Sequence, residues 1–256
     1  MAFNDDLCGA LDNGDLRIAF MPTFSLHARR PVRFHFMARW SSRRSGILEY
    51  EEIKGPCERL GLRESFWDHY VERACSALAL WRLHGKSLPV LSLNLPPRYL
   101  ARRQLARFID RMLSWYAVDP ALLEVRLPSA DVMALNPLES VSLSALRSMG
   151  IALGVAGIER LDQLPRVFAT VRPDTLLFDT QNIRRMLPYG DYPGNGLARL
   201  LAPIKLVTRR IGCTLAVDGI SSLTDCSEMI NAGFEEFQGP FIGDPISSLT
   251  VERYYI

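Results

Sequence analysis

Five oxygen-bearing side chains sit in or at the ends of short apolar runs, and these are the residues best placed to do chemistry. Asn94 stands in the run 90–95, Glu124 in 122–127, Asp179 in 175–179, Asp218 in 213–218 and Gln238 in 235–238. Carboxylate and amide oxygens can ligate a hard divalent cation or hydrogen-bond a sugar-phosphate. Each is equally readable as a solvated or helix-capping residue at a strand end. Two nitrogen groups lie upstream, in Phe34-His35-Phe36-Met37-Ala38-Arg39-Trp40. The Arg39 guanidinium is a fork that fits a phosphate. His35 with Asn94, Glu124 and Asp218 could form a mixed site for zinc or a late transition metal. A lone histidine on an inward-facing strand reads first as a neutral, hydrogen-bonded residue. No Ser/His/Asp or Cys/His spacing marks a nucleophile, and no glycine-rich phosphate loop is present.

These side chains can meet only if their strands share a sheet. Strand-like runs at 16–21 and 32–36 are close enough for a hairpin. Helical spacing follows over 64–84, with Phe66, Val71, Ala74, Cys75, Leu78 and Trp81 near one face. A strand at 90–95 is stopped by Pro96-Pro97, and a helix is expected over 98–115. Strands at 122–127, 151–155, 175–179, 213–218 and 235–238 then alternate with helices near 138–149, 161–167, 197–211 and 223–232. Eight strand candidates in this alternation predict an α/β fold. The expected form is a single-domain TIM-like (β/α)8 barrel over residues 1–256, with one antiparallel strand near the N-terminus. The strand ends would then gather Asn94, Glu124, Asp179, Asp218 and Gln238 at one mouth. The turn-rich stretch 188–196 reads as a surface loop, and no linker divides the chain.

Composition narrows the classes. Hydrophobic residues at 48% and charged residues at 23% are those of an ordinary globular protein. A net charge of +2 is too small to imply a nucleic-acid polymer or a membrane surface as partner. The pairs Arg29-Arg30, Arg43-Arg44, Arg102-Arg103, Arg184-Arg185 and Arg209-Arg210 read as solvated helix faces and loop ends. Five scattered cysteines (Cys8, Cys57, Cys75, Cys213, Cys226) without a CxxC pair argue against a disulfide framework or structural zinc. They suit a reducing cytoplasm. No apolar run reaches membrane-spanning length, and the first residues lack the order of a secretory signal.

Several segments carry a resemblance. Ser92-Leu93-Asn94-Leu95, Leu122-Leu123-Glu124-Val125, Asp174-Thr175-Leu176, Val217-Asp218-Gly219-Ile220 and Phe237-Gln238-Gly239 with Pro245 occur in the order and spacing of the EAL domain. Arg39-Trp40 resembles the end of its name-giving motif, and Glu58 with Gly61-Leu62 the segment that follows. That bacterial family hydrolyses cyclic di-GMP, using carboxylates and an asparagine to hold two divalent cations. The resemblance implies that Asn94 and Glu124 match two ligands, that Asp218 stands for a glutamate, and that Gln238 lies near the water. It also implies that Arg39 approaches a ligand phosphate.

The departures from that pattern are heavier. His35 replaces the motif glutamate, Gly154 and Val155 replace adjacent aspartates, Leu177 a lysine, Leu127 a second glutamate and Met21 a glutamine. The resemblance therefore implies no catalytic residue, no metal and no cofactor. The first expectation is an inactive EAL-like domain that regulates by binding another protein, of unnamed identity, in cyclic di-GMP-related signalling. A non-hydrolysing cyclic di-GMP receptor using Arg39, Asn94, Glu124, Asp179, Asp218 and Gln238 is the second. An active phosphodiesterase is the third.

Overall fold

The computed structural model describes residues 16–42, 46–49, 52, 63–85, 88–187 and 196–256. Cys8, Cys57, Glu58, Gly61, Leu62 and the loop 188–195 lie outside the described residues.

Strand β1 (Leu16–Ser25) turns back antiparallel onto β2 (Arg30–Ser42), which sets Met21 opposite His35 and Thr23 opposite Arg33. This is the hairpin expected from the sequence. A short β3 (Gly46–Glu49) extends the far end of β2. From β2 the sheet runs parallel through β4 (Val90–Asn94), β5 (Leu123–Pro128), β6 (Ala152–Ala156), β7 (Thr175–Asp179), β8 (Thr214–Asp218) and β9 (Glu236–Phe237). β9 then pairs antiparallel with β1, Phe24 opposite Phe237, and the eight-stranded barrel is closed.

The first described helix is α1 (Arg63–His84). The expected helix 98–115 is two pieces, α2 (Pro97–Leu100) and α3 (Leu105–Tyr116). The break has a local cause: the Tyr99 hydroxyl and the Arg102 guanidinium both reach the Asp68 carboxylate on α1, which draws the intervening turn inward. Next come α4 (Ser129–Met133), α5 (Pro137–Ser148), α6 (Leu164–Thr170) and α7 (Thr180–Met186). The last three are α8 (Gly196–Ile211), α9 (Leu223–Ala232) and α10 (Ser248–Tyr254). Helix α5 starts at a full capping box, Asn136 and Glu139 each bonding the other's backbone N–H.

Alternation along the strands separates two interiors. Phe34, Phe36, Leu91, Val125, Leu127, Val155, Leu176 and Val217 face outward into the apolar layer beneath the helices and are fully or almost fully buried. Many of the residues between them point into the barrel and are polar: Thr23, Arg33, Ser92, Glu124, Arg126, Thr175, Glu236 and Gln238 are all buried. Barrels of this type usually fill with branched aliphatic side chains. Here the lumen is held by ions and hydrogen bonds.

Candidate functional site

The lower lumen is built around Glu124, whose carboxylate is inaccessible to solvent. Arg33 Nη1 donates to its Oε2 at 2.6 Å, Arg126 Nε to Oε1 at 3.1 Å and the Ser92 hydroxyl to Oε1 at 2.9 Å. Arg33 Nε also donates to Glu236 at 3.2 Å, and Arg126 Nη2 to the Ser92 hydroxyl at 3.1 Å. Burial alone would push the Glu124 carboxyl up; the two guanidiniums overcome that and hold its pKa at about 2. Glu124 is an interior ion, one layer below the mouth at which its strand-end position was expected to place it.

Gly154 belongs to the same layer. It pairs across the sheet with Arg126, and a Cβ built on it would lie 3.0 Å from the Glu124 carboxylate carbon. The glycine leaves room for the Glu124–Arg126 pair. Val155 faces outward into the apolar layer. The positions that β6 presents at the mouth are instead Ala156 and Gly157, two residues further on.

Above this layer opens a pocket of about 210 Å³. Asn94, Asp179, Asp218 and Gln238 line it, with His35, Arg126, Ala156, Gly157, Leu177 and Phe178. Four of the six expected ligand-binding residues therefore meet. Arg39 and Glu124 are not in that lining; Arg39 lies opposite Arg17 of β1 and Glu49 of β3. Met21 is not in the lining either, and Leu127 faces the outer apolar layer, so of these replaced positions Leu177 is the one that reaches the pocket. The guanidinium that does reach the mouth is Arg126. Period-two alternation from Glu124 places it on the inner face, a signal available in the sequence.

Each mouth residue has a local commitment. His35 Nδ1 lies 3.3 Å from the Ser92 carbonyl and donates to it, which leaves Nε2 to accept from Asn94 Nδ2 at 3.5 Å. Burial, then the Arg126 charge, lowers the imidazole pKa to about 3, so His35 is neutral at physiological pH. Asp179 caps α7, its Oδ1 accepting from the amides of Gln181 and Asn182. Asp218 accepts from the Gly219 amide at 2.7 Å, and burial pushes its carboxyl above the usual range. The Gln238 side-chain oxygen accepts from the Thr23 hydroxyl at 3.0 Å.

A two-cation centre of the kind implied by the resemblance needs several free oxygen donors on one locus. Here Asp179 and Asp218 each spend an oxygen on backbone amides, while Ala156, Gly157 and Leu177 contribute none. A guanidinium shares the space. Among the described residues no three His, Cys, Asp or Glu side chains are grouped to hold a metal ion. The donor set does not fit that centre.

The closed barrel, its antiparallel first strand and the polar mouth at the parallel strand ends define the class: a TIM-type (β/α)8 barrel with one reversed strand. The EAL domain family profile matches residues 4–245, and the chain belongs to that family. It is similar to the oxygen sensor protein DosP of Escherichia coli (strain K12), 21% identical over 244 residues, which cover 93% of this chain and 29% of that one. The chain spans less than a third of the length of the curated relatives it matches. Among solved structures, the PaMucR phosphodiesterase in complex with c-di-GMP superposes with a TM-score of 0.82 at 18% identity, covering 98% of this chain and 100% of that one. The FimX EAL domain of Xanthomonas citri in complex with c-diGMP gives 0.82 at 17%, covering 95% and 92%. At these identities the superpositions establish the fold. Among the described residues, no helix is long and apolar enough to cross a membrane.

Proposed function

We propose that this EAL barrel, one domain over residues 1–256, has lost phosphodiester hydrolysis and acts as a regulatory module in the cytoplasm that works by binding another protein. The observation that carries this reading is the pairing of Arg126 with Glu124 beneath a mouth that retains Asp179 and Asp218. In an active relative, cations would neutralise such acids and polarise the phosphodiester. Here the donors do not fit cations, and the positive group in the pocket is already matched by an interior carboxylate. A doubly anionic dinucleotide entering the mouth meets carboxylates. Each charge pair at roughly 6 Å with an effective dielectric of ~20 costs about 3 kcal/mol. A pocket of about 210 Å³ is also below the roughly 300–1,000 Å³ of ordinary ligand sites.

The receptor reading draws on a specific feature too. Arg126, Asn94 and Gln238 line one pocket and could hydrogen-bond a phosphate edge. Calorimetric titration of cyclic di-GMP, without metal and then with Mg²⁺ or Mn²⁺, separates the two. No heat and no linear product at near-millimolar nucleotide is expected. Saturable micromolar binding that weakens in Arg126→Met would make the domain a receptor, and turnover with Mn²⁺ would overturn the loss of hydrolysis.

A further inference from the structure

Helix α1 buries one face against the barrel and presents a second, mixed stripe beside it. Phe66, Tyr70, Val71, Ala74, Leu78 and Trp81 are buried against the barrel. A second stripe at helical spacing (Arg73, Ser76, Ala77, Leu80) forms one wall of a groove of about 380 Å³, with Ile18 and Phe20 of β1 and Ser248 of α10 completing it. Leu80 is 48% exposed, and one turn on Leu83 is 73% exposed. Beside Ser248, Leu249 is 72% exposed. The groove is held open by a tether, Trp81 Nε1 donating to the Ser248 hydroxyl at 2.9 Å. Its charged lining, among the described residues, is Arg17 and Arg73, and neither makes a hydrogen bond or ion pair with another described residue.

We infer that this groove is a docking site for an acidic, amphipathic segment of a partner protein, with an apolar side chain in the groove and carboxylates against Arg17 and Arg73. The inference rests on the protein-binding reading above and names its surface. Charge complementarity selects the occupant: two guanidiniums, neither in an ion pair among the described residues, flank an apolar floor, an arrangement that favours carboxylates and repels lysines. Leu83 follows Leu80 by one helical turn on α1 and Leu249 follows Ser248 on α10, so exposed apolar side chains continue along both elements that wall the groove, a length suited to a helix rather than a small ligand.

The test uses the intact protein and 8-anilinonaphthalene-1-sulfonate, whose sulfonate and fused rings mimic an acid beside an apolar anchor. Competing 16-residue peptides carry leucines at i, i+3, i+4 and i+7, flanked by glutamates in one and lysines in the other. Saturable dye binding is expected, displaced at least tenfold more readily by the glutamate peptide and weakened about tenfold or more in R17E/R73E. Thermal melting of that variant and of L80S serves as the folding control, since all three positions are solvent-facing or rim residues. Dye binding that is absent, unchanged in R17E/R73E, or displaced equally by both peptides would overturn the docking site while leaving the loss of hydrolysis untouched. A dimer in sedimentation that dissociates in R17E/R73E would assign the groove to a second copy and also overturn it. Nucleotide binding is read separately, so failure of the regulatory reading is distinguishable from failure of the groove.

Discussion

Replacing His35 by glutamine should flatten the acid limb of the stability profile. The imidazole has a folded pKa of about 3 against an ordinary value of 6.5, because burial and the neighbouring Arg126 charge disfavour the protonated form. A depressed folded pKa means that the unfolded chain takes up the proton first. The stabilisation is therefore complete above pH 6.5 and is lost as pH falls toward 3. At pH 5 the difference amounts to about 2 kcal/mol for a fully shielded ring. His35 borders the pocket, so solvent screening reduces this to roughly 1–2 kcal/mol. Urea unfolding at pH 7.5 and pH 5.0, for the parent and His35→Gln, isolates the effect, because every other titratable group is common to the two proteins. The parent should lose about 1–2 kcal/mol more than the variant over that interval. Equal losses would mean that His35 is protonated in the folded state, and the assignment of Nδ1 to the Ser92 carbonyl and Nε2 to Asn94 would fail with it.

Gly154→Ala places a methyl 3.0 Å from the Glu124 carboxylate and 3.4 Å from the Arg126 stem, and neither can retreat within the lumen. It should cost about 1–3 kcal/mol, seen as a drop in melting temperature of several degrees; an unchanged melt would show that the lumen has slack. Arg126→Met removes one of the two cations on Glu124 and should destabilise by about 3 kcal/mol, less than Glu124→Gln, which leaves the buried Arg126 guanidinium without its carboxylate and Arg33 with Glu236 alone. The reverse ranking in chemical denaturation would refute the picture of Glu124 as the hub. Asp179→Ala should cost about 1 kcal/mol through the lost α7 cap, which chemical denaturation would show.

Much of the barrel was legible because its signals are local. Apolar runs of about five residues, separated by helical spacing, gave the eight barrel strands, and the short 16–21 to 32–36 connection gave the antiparallel start. The helices α4, α7 and α10 were not, since each is a single turn or two whose start is set by a cap, as Asp179 does for α7. At the site, residue type misled where layer mattered. Glu124 and Arg126 differ by one pleat period and share an inner face, but only the register against Ser92 and Gly154 shows that Glu124 is covered while Arg126 reaches the pocket. Distance along a strand from its C-terminal end decides which donor meets solvent, and composition carries no measure of it.

That layering also bears on whether an acid placed at the mouth would recruit a metal ion. Ala156 is the inward residue that ends β6, and it shares the pocket with Arg126. An aspartate there would enter beside a guanidinium, so the favourable partner is Arg126 rather than a cation from solution, which must shed tightly held water. Ala156→Asp should therefore show no Mn²⁺ binding by calorimetry at millimolar metal. It should instead gain stability at neutral pH that disappears as the carboxylate is protonated, because pairing depresses its folded pKa and the gain exists only above its unfolded value near 4. Mn²⁺ binding by Ala156→Asp alone would show that Arg126 yields its place, and that one donor at β6 had been the missing element. If binding requires Arg126→Met as well, the guanidinium is what closes this barrel to metal.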